Sequence, residues 1–172
     1  MSKIAVVYWS GTGNTEMMAG KVAQGAQEAG CEVNTFTAAE FSADMMDSYD
    51  AIAFGCPSMG AEQLEEGEFE PMFSSCESKL QGKKIALFGS YGWGDGEWMR
   101  SWEETCREDG AVLACQSVIC NEAPDDEADA ACIALGLKRL IAKAIATTDC
   151  WRDKRPNILV VAPKNIEKEY EA

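Results

Sequence analysis

Short, almost unbroken apolar runs alternate along this chain with amphipathic stretches of helical period, and that alternation leaves few folds open. Strands that are apolar on both sides must be covered on both faces, and a strand–helix–strand order brings successive strands together in parallel. Lys3 to Trp9, Glu32 to Phe36, Tyr49 to Gly55 and Lys83 to Ser90 read as strands, and Ala111 to Asn121 as a fifth, interrupted one. Thr15 to Ala29 puts Met18, Val22 and Ala26 on one helical face, with Gly30 as a left-handed stop. Phe69 to Leu80 reads as a second helix. Glu97 to Asp109 is a third, carrying Trp98, Met99, Trp102 and Cys106 at core spacing and ending at Gly110; Asp125 to Ala146 is the fourth. The pattern predicts one α/β domain, a five-stranded parallel sheet with helices on both faces.

A chain of 172 residues suits a single core. Residues 149–172 carry five acids and five bases, so the whole net charge of −14 belongs to the part before them. The expected division is therefore 1–148 as the domain and 149–172 as an extension. Such acidity opposes phosphate backbones, which excludes nucleic acid as a natural partner and favours basic protein surfaces. There is no histidine, which removes Ser-His-Asp, Cys-His and HExxH chemistry together. The eight cysteines include no CxxC pair and mostly sit beside apolar residues, as small buried thiols do. No run reaches the roughly 18–20 apolar residues of a membrane helix, and Lys3 to Trp9 is too short for a signal segment; a cytoplasmic protein with no membrane partner is expected.

Ligands of open α/β sheets sit outside the carboxyl ends of the strands, and three unusual loops fall there. The first is Ser10-Gly11-Thr12-Gly13-Asn14-Thr15, between a strand and a helix. Its glycines free backbone amides to face an anion, and the helix end adds its dipole. It lacks the Lys of a Walker loop and, with Glu16 in place, the third glycine of a dinucleotide fingerprint. It is either an anion loop or a polar helix cap. The second loop, Cys56 to Glu62, presents Met59; the third, Ser90 to Gly96, presents Trp93 between two glycines. Trp93 has the form of a platform for a planar ring, whereas Trp98 and Trp102, four residues apart on a helix, belong to the core. Trp9 fits either role. The acids Glu62, Glu65, Glu66, Glu68 and Glu70 read as a solvated face or as a guide for a basic partner.

Together, strand-Ser10-Gly-Thr-Gly-Asn-Thr15-helix, the Met59-Gly-Ala-Glu62 turn and Gly89-Ser-Tyr-Gly-Trp-Gly-Asp-Gly96 resemble the flavodoxin family of the short-chain, clostridial type, over about residues 1–147. The resemblance implies a three-layer sandwich with strand order 2-1-3-4-5, an order that belongs to the known family and not to the pattern. It implies non-covalent FMN and a low-potential one-electron carrier passing through oxidised, neutral semiquinone and hydroquinone states. By the same resemblance Ser10, Gly11, Thr12, Gly13, Asn14 and Thr15 hold the phosphate. Met59 and Trp93 cover the two ring faces, the Gly60 carbonyl turns toward N5, and Glu62 takes the N3 edge. Ser58, Ala61, Ser90, Tyr91, Gly92, Gly94 and Asp95 complete the site. Pro57 departs from relatives that carry Ser there, leaving that contact to Ser58 or to nothing.

No residue stands as a nucleophile or hydride-site acid, so an electron-transfer protein and not an enzyme is expected. A flavodoxin-like FMN-dependent quinone or NAD(P)H reductase is the alternative and requires a second pocket beside the ring. A response-regulator switch needs an Asp where Cys56-Pro57 stands. The expected partners are redox proteins with basic docking surfaces, met by a monomer. Ile158 to Val161 is either an added strand or a partner-binding peptide.

Overall fold

The computed structural model describes residues 1–136 and the backbone of 158–161. Its sheet is built from β1 (Lys3–Tyr8), β2 (Glu32–Thr37), β3 (Ala51–Gly55), β4 (Lys84–Tyr91), β5 (Val112–Leu113), β6 (Ser117–Asn121) and β7 (Ile158–Val161). The helices are α1 (Asn14–Glu28), α2 (Phe69–Glu77), α3 (Glu97–Glu108) and α4 (Asp126–Ala134). All pairings are parallel, in the order β2-β1-β3-β4-β6-β7. The interrupted fifth strand is β5 and β6: both pair with β4, Ile85 opposite Leu113 and Phe88 opposite Val118. Counted as one position they complete the order 2-1-3-4-5. β7 adds a strand beyond it, Val118 opposite Leu159, so the Ile158 to Val161 run is an added strand.

Successive residues of each central strand point to opposite faces, and both faces are covered. Ile4, Val6, Ala86 and Phe88 lie under Met18, Val22 and Ala26 of α1 and Ala128 and Cys132 of α4. A Cβ on Gly25 would run into the Ile133 carbonyl, so the two helices approach through a bare backbone. Ala5, Val7, Ile85 and Leu87 face the opposite layer, where α2 and α3 bring Phe69, Phe73, Trp98 and Trp102. There the rings meet edge to face, Phe54 on Phe73 at 5.2 Å and Phe69 on Trp102 at 5.4 Å. The continuous burial of β3 explains why its sequence shows no alternation.

Gly30 and Gly110 stop their helices with φ of +82° and +77°, as the sequence predicts. Asp125 caps α4, its Oδ1 accepting from the amides of Glu127 (3.1 Å) and Ala128 (2.9 Å). The rest of the helix expected to Ala146, the boundary near 148 and Cys150 lie outside the described residues. Cys56, Cys76, Cys106, Cys120 and Cys132 are buried and free. Burial pushes the thiols of Cys106 and Cys132 up to about 12 and Cys120 to about 11, so they stay protonated and inert.

Candidate functional site

The three loops meet at the carboxyl edge of the sheet, above the point where the chain order reverses between β1 and β3. In the first, Ser10 Oγ accepts from the Gly13 amide at 3.0 Å, and Gly13 opens α1 with φ +89°. Beyond Gly13, no described side chain accepts from the first amides of this helix. The contrast with the other described helices is informative. Asp125 fills the start of α4; Glu65 fills that of α2, its carboxylate accepting from the amides of Gly67, Glu68 and Phe69 at 2.7–2.9 Å. Glu62, from the second loop, fills that of α3, its Oε1 accepting from Gly96 and Glu97, each at 3.0 Å. Among the described helices only α1 leaves its first amides and positive end without a carboxylate, beside the hydroxyls and amide of Ser10, Thr12 and Asn14 and, among the described residues, without a lysine or arginine.

Thr15 is fully buried, and its hydroxyl lies 2.9 Å from that of buried Ser90, fastening the first loop to the third. Ser58 N donates to Ser90 O at 2.9 Å, fastening the second to the third. Cys56 anchors the second loop twice: its thiol accepts from Glu65 N at 3.3 Å, and its carbonyl from the Trp98 indole at 3.3 Å. Met59 and Gln63 exchange both backbone bonds, at 2.8 and 2.9 Å, which closes Gly60 to Glu62 into a tight turn with φ of +49° at Gly60 and +53° at Glu62. Gly94, at φ +92°, lies against the Glu62 carboxylate where a Cβ has no room. Asp95 is held by Arg100 and points out.

A cavity of about 500 Å³ opens between the loops. Gly11, Thr12 and Asn14 line one end, Ser58 and Met59 one side, and Ser90, Tyr91 and Gly92 the other. Ser10, Gly13 and Thr15 of the first loop, and Gly60, Ala61, Glu62, Trp93, Gly94 and Asp95, expected at the site, are not among the residues that line it. Met59 and Trp93 are 38% and 64% exposed, against a core whose other large rings are nearly all covered. Tyr91 packs its ring on Trp98 at 5.6 Å, and burial raises its phenol above the ordinary range.

Sequence reasoning missed Glu122 and Ala123, which follow β6 and close the cavity; that β6 also ends at this edge was the available signal. It left Trp9 open. The structure puts Trp9 in the wall, its ring against Gly11 and its Nε1 donating to Glu68 Oε2 at 3.0 Å. The acidic run is not merely a solvated face: Glu62, Glu65 and Glu68 each have a specific hydrogen-bonded partner. Burial alone would raise the Glu65 carboxyl, but the amides of Phe69, Glu68 and Gly67 outweigh it and hold the group below the usual range.

A doubly wound parallel sheet with an uncapped helix end, two exposed platforms and a crevice at the strand switch defines a mononucleotide-binding α/β protein. Residues 6–136 match the family model described as Flavodoxin. The flavodoxin of Clostridium beijerinckii is 48% identical over 133 residues, 77% of this chain and 96% of that one. The flavodoxin of Megasphaera elsdenii is 44% identical over 123 residues, 72% of this chain and 89% of the relative. The solution structure of two-electron reduced Megasphaera elsdenii flavodoxin superimposes with a TM-score of 0.72, at 42% identity over 78% of this chain and 96% of that one. The chain belongs to the flavodoxin family. It is an FMN-binding electron carrier and not an enzyme, and the reductase alternative is not favoured. Among the described residues no helix is long and apolar enough to cross a membrane.

Proposed function

We propose that the cavity between the three loops is the FMN site and that the chain is a low-potential carrier. FMN, when bound, supplies a ring that takes up and gives back electrons singly. The observation that carries the assignment is the pair Met59 and Trp93, large apolar side chains left exposed on the two loops that flank the crevice. The residues present suit the group: the open amino end of α1 with Ser10, Thr12 and Asn14 takes the phosphate, and Gly11 and Gly13 keep the backbone close to it. Thr15 and Ser90 position this loop from beneath, and Ser58 stands near the place where relatives carry a further hydroxyl.

Around the ring, Met59 and Trp93 exclude water. Nothing lies within 4 Å of a Cβ built at Gly60 except Gln63 Oε1 at 4.0 Å, so the peptide after it has room to turn its carbonyl toward a ring N–H. One such bond contributes roughly 0.5–1.5 kcal/mol to whichever redox form carries that proton. Glu62 Oε2 remains free for the N3 edge. Among the described residues no lysine or arginine lines the cavity, so negative charge added to the ring is poorly compensated and the last electron is held weakly. Residues 1–148 act as the cofactor domain and 149–172 as an extension of it. The protein works as a cytoplasmic monomer that meets redox proteins with basic surfaces.

The test is a stepwise anaerobic dithionite titration of the FMN-loaded chain. A long-wavelength absorbance that rises and then disappears only at strongly reducing potential is expected. Direct bleaching would overturn the one-electron assignment, and failure to bind FMN would overturn the site.

A further inference from the structure

We propose that the groove between α2 and α3 receives a basic segment of the redox partner, a Lys or Arg set beside an apolar side chain. This deepens the partner reading above and rests on it. The groove encloses about 480 Å³ and begins at Ala61, Glu62 and Gln63, next to the second loop. Its floor is aromatic: Phe73, Trp98 and Trp102 line it and are at most 3% exposed. Glu66, Glu70, Glu77 and Glu97 stand around the rim, and among the described residues no lysine or arginine lines the groove. Glu66, Glu70 and Glu97 have no ion-pair partner among the described residues, although Lys3, Lys21, Lys79, Arg100 and Arg107 are paired elsewhere.

A second observation is independent of this charge. Trp102, 3% exposed, leaves its indole N–H without an acceptor among the described residues. Buried donors are ordinarily satisfied, and a main-chain carbonyl of an inserted segment would satisfy this one. Aromatic floor, carboxylate rim and spare donor together match the three parts of a basic peptide segment: apolar side chain, cation and carbonyl. A partner seated there lies beside Met59 to Glu62, at the mouth of the cofactor crevice.

The experiment maps amide shifts of the FMN-loaded full chain during titration with a basic c-type cytochrome, after FMN uptake has been verified by its visible spectrum. Expected are shifts at Ala61, Ser74, Ser101 and Thr105 and at the Trp102 indole N–H. The pair Glu70→Gln and Glu77→Gln weakens binding about three- to ten-fold. A control carrying Glu28→Gln and Glu32→Gln, equal in net charge but placed at the end of α1 and in β2, outside the groove, binds as the parent does. Shifts that avoid the groove, or equal weakening by both pairs of substitutions, overturn the proposal. So do groove shifts that depend on protein concentration without the cytochrome, which would make a second copy the occupant. A chain that fails to take up FMN refutes the cofactor reading, and the same shift map recorded on the FMN-free chain then decides this one.

Discussion

Replacing Glu62 by Ala removes the side-chain acceptor that the described residues place at the start of α3. The carboxylate comes from a loop 34 residues away and accepts two amides at 3.0 Å. Loss of a cap costs about 1 kcal/mol, and the interaction of a negative charge with a helix amino end adds about 0.3–1 kcal/mol. Glu62 is only half-buried, which keeps the sum near 1–2 kcal/mol. At about 2–4 °C per kcal/mol for a chain of this size, the melting temperature should fall by about 2–8 °C. Glu62→Gln retains an oxygen acceptor and loses the charge, so it should lose about half as much. The measurement belongs on FMN-free protein, by circular dichroism at low salt, where a cofactor contact cannot contribute. If the FMN-free Ala variant melted within about 1 °C of the parent, Glu62 would not hold α3 and the coupling of the second and third loops would be refuted.

Glu65→Gln should flatten the acid limb of stability. Its folded carboxyl is held down, so its contribution is present above the ordinary value of 4.5 and is lost as pH falls below it; urea midpoints between neutral pH and pH 3 would reveal an unchanged slope if the three amides contribute nothing. Trp93→Ala should weaken FMN binding about ten-fold or more by removing an aromatic cover, read from quenching of flavin fluorescence, with no change in the FMN-free melting temperature because Trp93 supports little of the core. Gly60→Ala, forced to φ +49°, should cost about 1 kcal/mol of strain in the turn and lower the first reduction potential; a potential equal to the parent's would exclude movement at this peptide. Glu103→Ala removes a buried carboxylate bound to Arg107 at 2.7 Å and to Ser117, leaves the buried Ser117 hydroxyl without its acceptor, and should cost about 1–3 kcal/mol in urea unfolding.

Much of the framework was legible because it is local. Lys3 to Tyr8 and Ala51 to Gly55 are continuous apolar runs, and a strand buried on both faces cannot look otherwise. Gly30 and Gly110 mark helix ends through a backbone requirement that few other residues meet. What the pattern could not show is pairing at long range. Glu62 with Gly96, Trp9 with Glu68 and Thr15 with Ser90 are 34, 59 and 75 residues apart, and neither period nor spacing identifies such partners. An acidic run therefore reads as a solvated face even when three of its members are structural. The Ile158 to Val161 run was recognisable as apolar, but only the sheet edge left by β6 decides its role. The loops were legible as chemistry and less so as geometry: their residue types announced a ligand, while Glu122 became visible only through the shared edge.

Of the four described helices, α1 alone relies on something other than the chain to occupy its first turn. Without a bound anion the first amides of that turn have no side-chain acceptor, and Asn14 to Met17 should open more readily than with one. Ligand binding to the folded state alone withdraws molecules from the opened population in proportion to free ligand over its dissociation constant. The lifetime of the polypeptide should then follow the supply of riboflavin phosphate, shorter in a starved cell than in a replete one. Limited proteolysis with and without FMN would detect this as a cut near the first loop that the nucleotide suppresses, and cleavage indifferent to the nucleotide would separate turnover from cofactor supply.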